Sequence, residues 1–306
     1  MASRWVRWLR GLLGLAIVGY AVRLLIQNWE SVRTAPLEWR LRPLPVIASI
    51  VLVVATYAIL VEAWRRMVAG WGSAITFWPA ARVWVLSSMG KYLPGKIWTI
   101  AGMAVLGREA GVPAWVATAS AIVLQIASIG TGALVVVLSG SGAVAEMGPG
   151  TGMLLLALAA AAVASLAVLL WPKALESLVR RVGRISEFRA PAAAPIVVGV
   201  VLNAVAWILY GLALYWLAAG IFPSPGLTVP QAIGAFTASY LAGFLFLLAP
   251  GGLGVREVVF VLVTQSTLGP TQALALAAVS RLGMTAADLL AAAPFVLFRQ
   301  RPRDQT

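Results

Sequence analysis

Ala249-Pro250-Gly251-Gly252-Leu253-Gly254-Val255-Arg256-Glu257 interrupts an apolar stretch in the second half of the chain, and Leu93-Pro94-Gly95-Lys96 interrupts another in the first half. Proline at the first helical position gives up only an amide that would be unpaired in any case, and glycine lets a backbone or a ligand come close. Each break therefore reads as the start of a short helix whose free amides and positive dipole end face the membrane interior. The first such helix runs from Pro94 to about Gly107, with Lys91 just before it and Lys96 just inside it. The second carries Arg256 and Glu257 in its first turns. Broken helices beside cations in an apolar setting mark an anion site.

The setting is apolar throughout. Hydrophobic residues make up 61% of the chain and charged residues 11%, against roughly one-half and one-quarter in soluble domains. The chain reads as an all-α polytopic membrane protein forming one membrane domain over residues 1–306, because every loop between apolar runs is too short for a soluble catalytic domain. It has no cysteine and no histidine, which removes disulfides, thiol nucleophiles, imidazole acid-base chemistry and the usual zinc ligands. Asp288 and Asp304 are its only aspartates, so a metal site would depend on Glu side chains. No catalytic residue, metal or cofactor is expected. The formal charge of +13 comes from Arg and Lys that flank apolar spans. That pattern argues against nucleic acid and for a bilayer with anionic lipids. Arg4, Arg7 and Arg10 precede an apolar run without a small-residue cleavage site, so this segment reads as a retained first helix.

A run of roughly 20 apolar residues crosses a bilayer. By that criterion six full transmembrane helices lie near 9–27, 44–63, 113–139, 152–171, 195–219 and 271–298. The stretches 74–107 and 231–267 each consist of two shorter apolar pieces around a proline-glycine break, and read as re-entrant helical hairpins. Lys and Arg collect at cytoplasmic ends. On that rule Arg4, Arg7, Arg10, Arg65, Arg66, the cluster Lys173, Arg180, Arg181, Arg184 and Arg189, and the tail Arg299, Arg301 and Arg303 are cytoplasmic. The segments around 140–151 and 221–230 carry no Lys or Arg and lie outside; Arg33, Arg40 and Arg42 would lie there too, partly offset by Glu30 and Glu38. Both termini are then cytoplasmic, and the two hairpins enter from opposite faces. Two full crossings per hairpin would give the same parity, so charge does not choose between them.

Pro94 and Pro250 are 156 residues apart, and Gly111-Val112-Pro113-Ala114 and Leu268-Gly269-Pro270-Thr271 open the following helices at about the same spacing. Halves 1–139 and 140–306, each with one hairpin followed by one long helix, form the pattern of an inverted repeat, whose binding sites lie near the midplane at the repeat interface. In the last helix Arg281, Thr285 and Asp288 share one face, which must meet protein or water. An internal Arg281–Asp288 pair is the plainer reading of that stripe, and snorkelling to headgroups is the plainer reading of Lys91 and Lys96. Gln125 corresponds to Arg281 by the repeat distance, with Thr118 and Ser128 on its face. Arg108 and Glu109 read as an interfacial pair, and Asn203 and Tyr210 as helix–helix hydrogen bonds. Trp5, Trp8, Trp29, Trp64, Trp71 and Trp171, near span ends, read as interfacial anchors.

Ser88-Met89-Gly90-Lys91-Tyr92-Leu93-Pro94-Gly95-Lys96-Ile97-Trp98 and Pro250-Gly251-Gly252-Leu253-Gly254-Val255-Arg256-Glu257, with Arg281 downstream, resemble the lysylphosphatidylglycerol synthase transmembrane family, also described as flippase-like integral membrane proteins. The resemblance covers about residues 10–298. It implies kinship with the membrane half of the multiple peptide resistance factor, which moves aminoacylated phosphatidylglycerol to the outer leaflet. The family also includes stand-alone proteins and membrane regions attached to polyprenyl-phosphate glycosyltransferases. Carried over by motif, Lys91, Tyr92, Pro94, Gly95 and Lys96 match the first signature, Pro250, Gly251, Gly252, Gly254, Arg256 and Glu257 the second, and Arg281 the late arginine. Gln125 stands where relatives often carry an acidic residue. No soluble aminoacyl-transferase domain accompanies the motifs, so synthesis of lysylphosphatidylglycerol is not expected of this chain.

The expected function is that of a lipid flippase in the plasma (inner) membrane of a prokaryote. Lys96, Arg256 and Arg281 would hold the phosphate of a phospholipid, aminoacyl-phospholipid or polyprenyl phosphate, with Glu257 and Asp288 as counter-ions. The alternative is a non-catalytic subunit that presents a polyprenyl-phosphate carrier to a glycosyltransferase; a membrane-embedded enzyme is the weakest reading. Partners compatible with these readings are anionic lipids, a lipid-modifying enzyme and a second copy of the chain.

Overall fold

A computed structural model describes residues 39–93, 97–145, 151–183, 188–246 and 250–297. Every regular element among them is helical. The predicted first helix near 9–27, the termini, Trp5, Trp8, Trp29, Arg33, Glu30, Glu38 and Arg184 lie outside the described residues, as do Pro94, Gly95 and Lys96.

Helix α1 (Pro43–Ala69) opens on a proline in its first turn and ends at Gly70. Helix α2 (Phe77–Ser88) passes through a 3₁₀ turn, Met89–Tyr92, towards α3 (Ile97–Glu109). Gly111, at φ 83°, and Pro113 turn the chain into α4 (Ala114–Ala145). Helix α5 (Thr151–Leu170) is followed directly by the short α6 (Pro172–Gly183), and α7 (Ala193–Ile221) crosses back. Helix α8 (Val229–Leu245) starts from a capping box in which Thr228 accepts from the Gln231 amide and the Gln231 side chain accepts from the Thr228 amide. The 3₁₀ turn Pro250–Gly252 leads into α9 (Val255–Leu297), which is broken at Gly269, φ 73°, before Pro270. A positive-φ glycine followed by a proline thus joins each pair of short helices to the long helix after it.

Five described helices are long and apolar enough to cross a membrane: α1, 114–139 of α4, 152–170 of α5, α7 and α9. They answer the predicted spans at 44–63, 113–139, 152–171, 195–219 and 271–298, the last being the second limb of α9. Large apolar side chains are exposed on these helices, among them Ile47, Ile50, Val51 and Val54 on α1 and Met153, Leu154 and Leu156 on α5, as a surface against lipid tails requires. The protein is a multi-pass membrane protein. Helices α2 and α3, at 12 and 13 residues, are about 18–20 Å long, well short of the ~30 Å hydrocarbon thickness.

Helices α1 and α7 form an antiparallel pair. Arg42 at the start of α1 donates its amide to Gly220 O and a guanidinium N–H to Pro223 O at the end of α7. At the other end Gly70 lies against Pro195. The α2/α3 pair begins from the end of this unit where α1 stops, and α8 begins from the end where α7 stops. Each pair of short helices folds back on itself: Arg82 of α2 pairs with Glu109 of α3 at 3.3 Å, and Gln231 of α8 donates to Thr267 Oγ1, 3.4 Å away, at the close of the first α9 limb.

Two sequence readings are corrected. Trp64 is no interfacial anchor: it is fully buried, and its indole N–H donates to Ser120 Oγ at 2.9 Å. Glu109 pairs with Arg82 across the hairpin instead of with its neighbour Arg108, since consecutive helical residues point apart. The cationic stretch after α5 is an amphipathic helix, α6, which buries Leu175 and Val179 against Phe188, Leu169 and Met67 while presenting Lys173, Arg180 and Arg181.

Candidate functional site

The two 3₁₀ turns touch. A Cβ built on Gly251 would lie 3.7 Å from the Tyr92 ring and 3.8 Å from Lys91 O. Those distances are ordinary contacts, and what favours glycine at 251 is its φ of 57°. Gly252, at φ 72°, passes even closer to α8: its Cβ would fall 2.7 Å from the Gly243 α carbon. Gly251 thus meets the Tyr92 ring and the Lys91 carbonyl of the first turn, while Gly252 lets the second turn pass close over α8.

Beside them is a cavity of about 280 Å³. The long helices line it from their central turns, through Tyr57 of α1, Gln125 and Ser128 of α4, Asn203, Trp207 and Tyr210 of α7, and Arg281, Thr285 and Asp288 of α9. The short helices and turns add Lys91, Tyr92, Tyr240, Gly251, Gly252 and Arg256. Gly254 and Glu257 do not line it. Pro250 belongs to the second turn.

Ionic partners differ from the plainer sequence reading. Arg281 does not pair with Asp288. Its Nη1 donates to Glu257 Oε1 at 2.8 Å and its Nη2 to Gly251 O at 3.0 Å, tying the last helix to the second break. Asp288, 3% exposed, accepts from Tyr57 Oη at 2.7 Å on one oxygen. Its other oxygen accepts from Tyr92 Oη at 2.7 Å and pairs with Lys91 Nζ at 2.5 Å. Asp288 is thus the junction of α1, the first break and α9, and Lys91 is not a snorkelling lysine.

Glu257 performs a second task. Its Oε2 accepts from the Gly254 amide at 2.7 Å, the reach-back half of a capping box at the start of α9. That amide was expected to be free for an anion; the chain's own carboxylate already takes it. Glu257 lies three residues after Gly254, the spacing at which a helix's third residue reaches its cap.

Arg256 is different. Its guanidinium carbon lies 4.9 Å from the Phe236 ring centroid and 5.1 Å from that of Tyr240, and Nη2 is 3.1 Å from the Met284 sulfur. The rings of Tyr210, Phe236 and Tyr240 form a stacked series, with centroids 5.0 and 6.0 Å apart. Cation–π contact and a weak thioether acceptor steer this guanidinium without neutralising it. Among the described residues it forms no ion pair.

Tyr57, Tyr240 and Trp207 were not foreseen at the site. A tyrosine at the centre of a span, away from the interfacial belts, was the available signal for Tyr57. Asn203 and Tyr210 were read as helix–helix bonds. Instead Asn203 Nδ2 donates to Gly199 O of its own helix at 2.9 Å, Tyr210 stacks on Phe236, and both line the cavity. Gln125 and Ser128 face it, whereas Thr118 lies nearer the helix start and donates to Ala114 O at 2.8 Å.

Fold and cavity define a multi-pass membrane protein with a cationic, aromatic-lined chamber at the centre of its spans. The chain belongs to the lysylphosphatidylglycerol synthase TM region family, whose family model matches residues 8–292. No curated protein matches it.

Proposed function

We propose that this protein is a lipid flippase that moves a phosphate-bearing lipid between leaflets. Its phosphate defines the cargo: a phospholipid, an aminoacyl-phospholipid or a polyprenyl phosphate. The observation that carries the reading is Arg256, a guanidinium oriented by aromatic rings on a mid-span cavity and, among the described residues, without an ion pair of its own, since the neighbouring Glu257 is bonded to Arg281 and the Gly254 amide. A charge at the bilayer centre costs at least ~2.5–3.5 kcal/mol on insertion scales and is normally paired or functional. A lipid phosphate would neutralise it through charge-assisted, bidentate hydrogen bonds. The cavity's ~280 Å³ is near the lower end of the ~300–1,000 Å³ typical of small-molecule sites. It has room for a headgroup, so acyl or prenyl chains would stay in the bilayer.

Short helices entering from opposite ends and meeting at the cavity suit alternating access, in which re-entrant hairpins open the site to one leaflet and then the other. Lys96, at the first break, would add a second cation. Arg65, Arg66 and the basic face of α6 would be cytoplasmic by the positive-inside rule, in a plasma (inner) membrane. Family membership supports a lipid cargo. The absence of histidine and cysteine from the sequence favours movement over covalent chemistry.

Proteoliposomes carrying the purified protein and fluorescent phospholipid or polyprenyl phosphate test this through accessibility of the label to an external quencher. Wild type is expected to exchange label between leaflets. Arg256→Ala should slow exchange at least about thirtyfold, the low end of the loss when one partner of a buried charge pair is truncated. Arg66→Ala, at an exposed intrahelical pair with Glu62, should stay within about twofold. Equal rates for wild type and Arg256→Ala would refute the assignment. A protein that moves no lipid but copurifies with a glycosyltransferase would instead be a presenting subunit.

A further inference from the structure

The carboxylates at the cavity are fully used by the protein itself. Asp288 has one oxygen on Tyr57 and the other on Tyr92 and Lys91. Glu257 has one oxygen on Arg281 and the other on the Gly254 amide. The remaining described carboxylates, Glu62, Glu109 and Glu176, pair with arginines at helix ends. Among the described residues, Lys91, Arg256 and Arg281 against Asp288 and Glu257 leave one positive charge in excess. Among these residues a substrate ammonium would meet no free counter-ion and would have to displace Lys91 or Arg281 to obtain one.

Aromatic faces are the other way to hold an ammonium. Those nearest the cations are taken: Arg256 lies over Phe236 and Tyr240, and Lys91 lies 5.4 Å from the Tyr92 ring centroid. The other lining rings Tyr57, Trp84, Trp207 and Tyr210 pack on one another, Tyr57 against Trp84 and Tyr210, and Trp207 against Tyr240, and the remaining polar groups that the cavity offers are neutral. The Gln125 amide and the Tyr240 hydroxyl line it, as do Ser128 and Asn203. Groups of this kind exchange hydrogen bonds with hydroxyls and ester oxygens and give no net attraction to a cation.

Resting on the flippase reading, we infer that the site selects a lipid phosphate whose headgroup carries no ammonium and rejects aminoacylated lipids. Two lipids share this chemistry: phosphatidylglycerol, a phosphodiester with a hydroxylated headgroup, and a polyprenyl phosphate, a bare phosphomonoester. Electrostatic complementarity governs such discrimination, since like charges brought together cost affinity where a neutral hydroxyl does not. Gln125 is the position on which the choice turns, because a carboxylate there would be the first uncommitted negative charge among the described residues at the cavity.

The test measures binding separately from movement. The full-length protein in detergent is titrated with phosphatidylglycerol, a polyprenyl phosphate and lysylphosphatidylglycerol, with occupancy read by native mass spectrometry. Either or both of the first two should bind wild type on the order of tenfold or more tightly than lysylphosphatidylglycerol, and comparison of the two identifies the source of the phosphate. Gln125→Glu should narrow the gap by raising lysylphosphatidylglycerol affinity while the protein keeps its wild-type elution volume. Equal or tighter binding of lysylphosphatidylglycerol by wild type, an unchanged ratio in folded Gln125→Glu, or no binding of any of the three would overturn the inference. Selective binding without leaflet exchange in proteoliposomes would leave the inference standing and remove the flippase reading.

Discussion

Asp288 takes two tyrosine hydroxyls and one ammonium from three parts of the chain, so its substitution separates charge from packing. Asp288→Asn removes the counter-ion of Lys91. Breaking a buried pair by removing one partner costs ~3–5 kcal/mol, and because the Lys91 side chain is 29% exposed the low end, about 3 kcal/mol, applies. Lys91→Met should cost a comparable amount. The double variant leaves neither charge stranded and should lose less than the two single losses together, with a coupling of about 1 kcal/mol or more. Thermal unfolding of the four proteins in one detergent measures this cycle; strictly additive losses would mean the contact carries no coupling. Partner choice at this scale was poorly legible in the sequence. Arg281, Thr285 and Asp288 are visibly one stripe, and spacing alone suggests that Arg281 and Asp288 satisfy each other. Their actual partners, Glu257 and Lys91, are brought by the two breaks, and no local rule says which break reaches which residue. Tyr57 was hidden for the same reason: its hydroxyl is explained only by a carboxylate 231 positions away.

Among elements, the breaks were the most legible feature, because proline and glycine restrict the backbone wherever they occur. The observed start at Val255 lies a few residues beyond Pro250, and the described residues after the first break are helical from Ile97. What the letters did not reveal is which glycines are there for conformation and which for contact. Gly252 and Gly254 have similar φ, 72° and 81°. A Cβ on Gly252 would lie 2.7 Å from the Gly243 α carbon, backbone that cannot swing aside, whereas one on Gly254 would meet nothing within 4 Å. Gly254→Ala should therefore cost about 1 kcal/mol, the left-handed conformation alone. Gly252→Ala adds overpacking of about 1–3 kcal/mol and should prise α8 from the second turn. Thermal unfolding and the monodisperse fraction on size exclusion should rank wild type, then Gly254→Ala, then Gly252→Ala; equal behaviour of the two variants would contradict the close approach. Helix α6 is legible only in part, since Leu175 and Val179 are four apart within the basic run, but the apolar edge is two residues wide and its partners Phe188, Leu169 and Met67 come from other parts of the chain. Trp64 shows the converse limit. Proximity to a span end does not reveal burial, which depends on α4 bringing Ser120 to the indole.

For the whole molecule, the antiparallel α1–α7 pair fixes directions that the sequence supplied only as a charge bias. The first pair of short helices starts at the end of this unit bearing Arg65 and Arg66, the second at the end bearing Arg40 and Arg42, and each closes back on its own side through Arg82–Glu109 or Gln231–Thr267. The sequence lacks cysteine, so single introduced thiols report their location without background. If both pairs are re-entrant and enter from opposite faces, Glu109→Cys should react with a membrane-impermeant maleimide from the cytoplasmic face and Thr267→Cys from the outer face. Sealed right-side-out cells and inverted vesicles, each labelled before lysis, should give opposite patterns for the two positions. The paired variants Arg82→Cys/Glu109→Cys and Gln231→Cys/Thr267→Cys should each form an intramolecular cross-link under mild oxidation or with a short bifunctional maleimide. Labelling of both single variants from the same face would abolish the inverted arrangement and, with it, the route by which one central cavity could serve two leaflets. Cross-links with labelling from opposite faces would leave Arg256 at the meeting point of two oppositely directed hairpins, where a phosphate arriving from either leaflet encounters the same guanidinium.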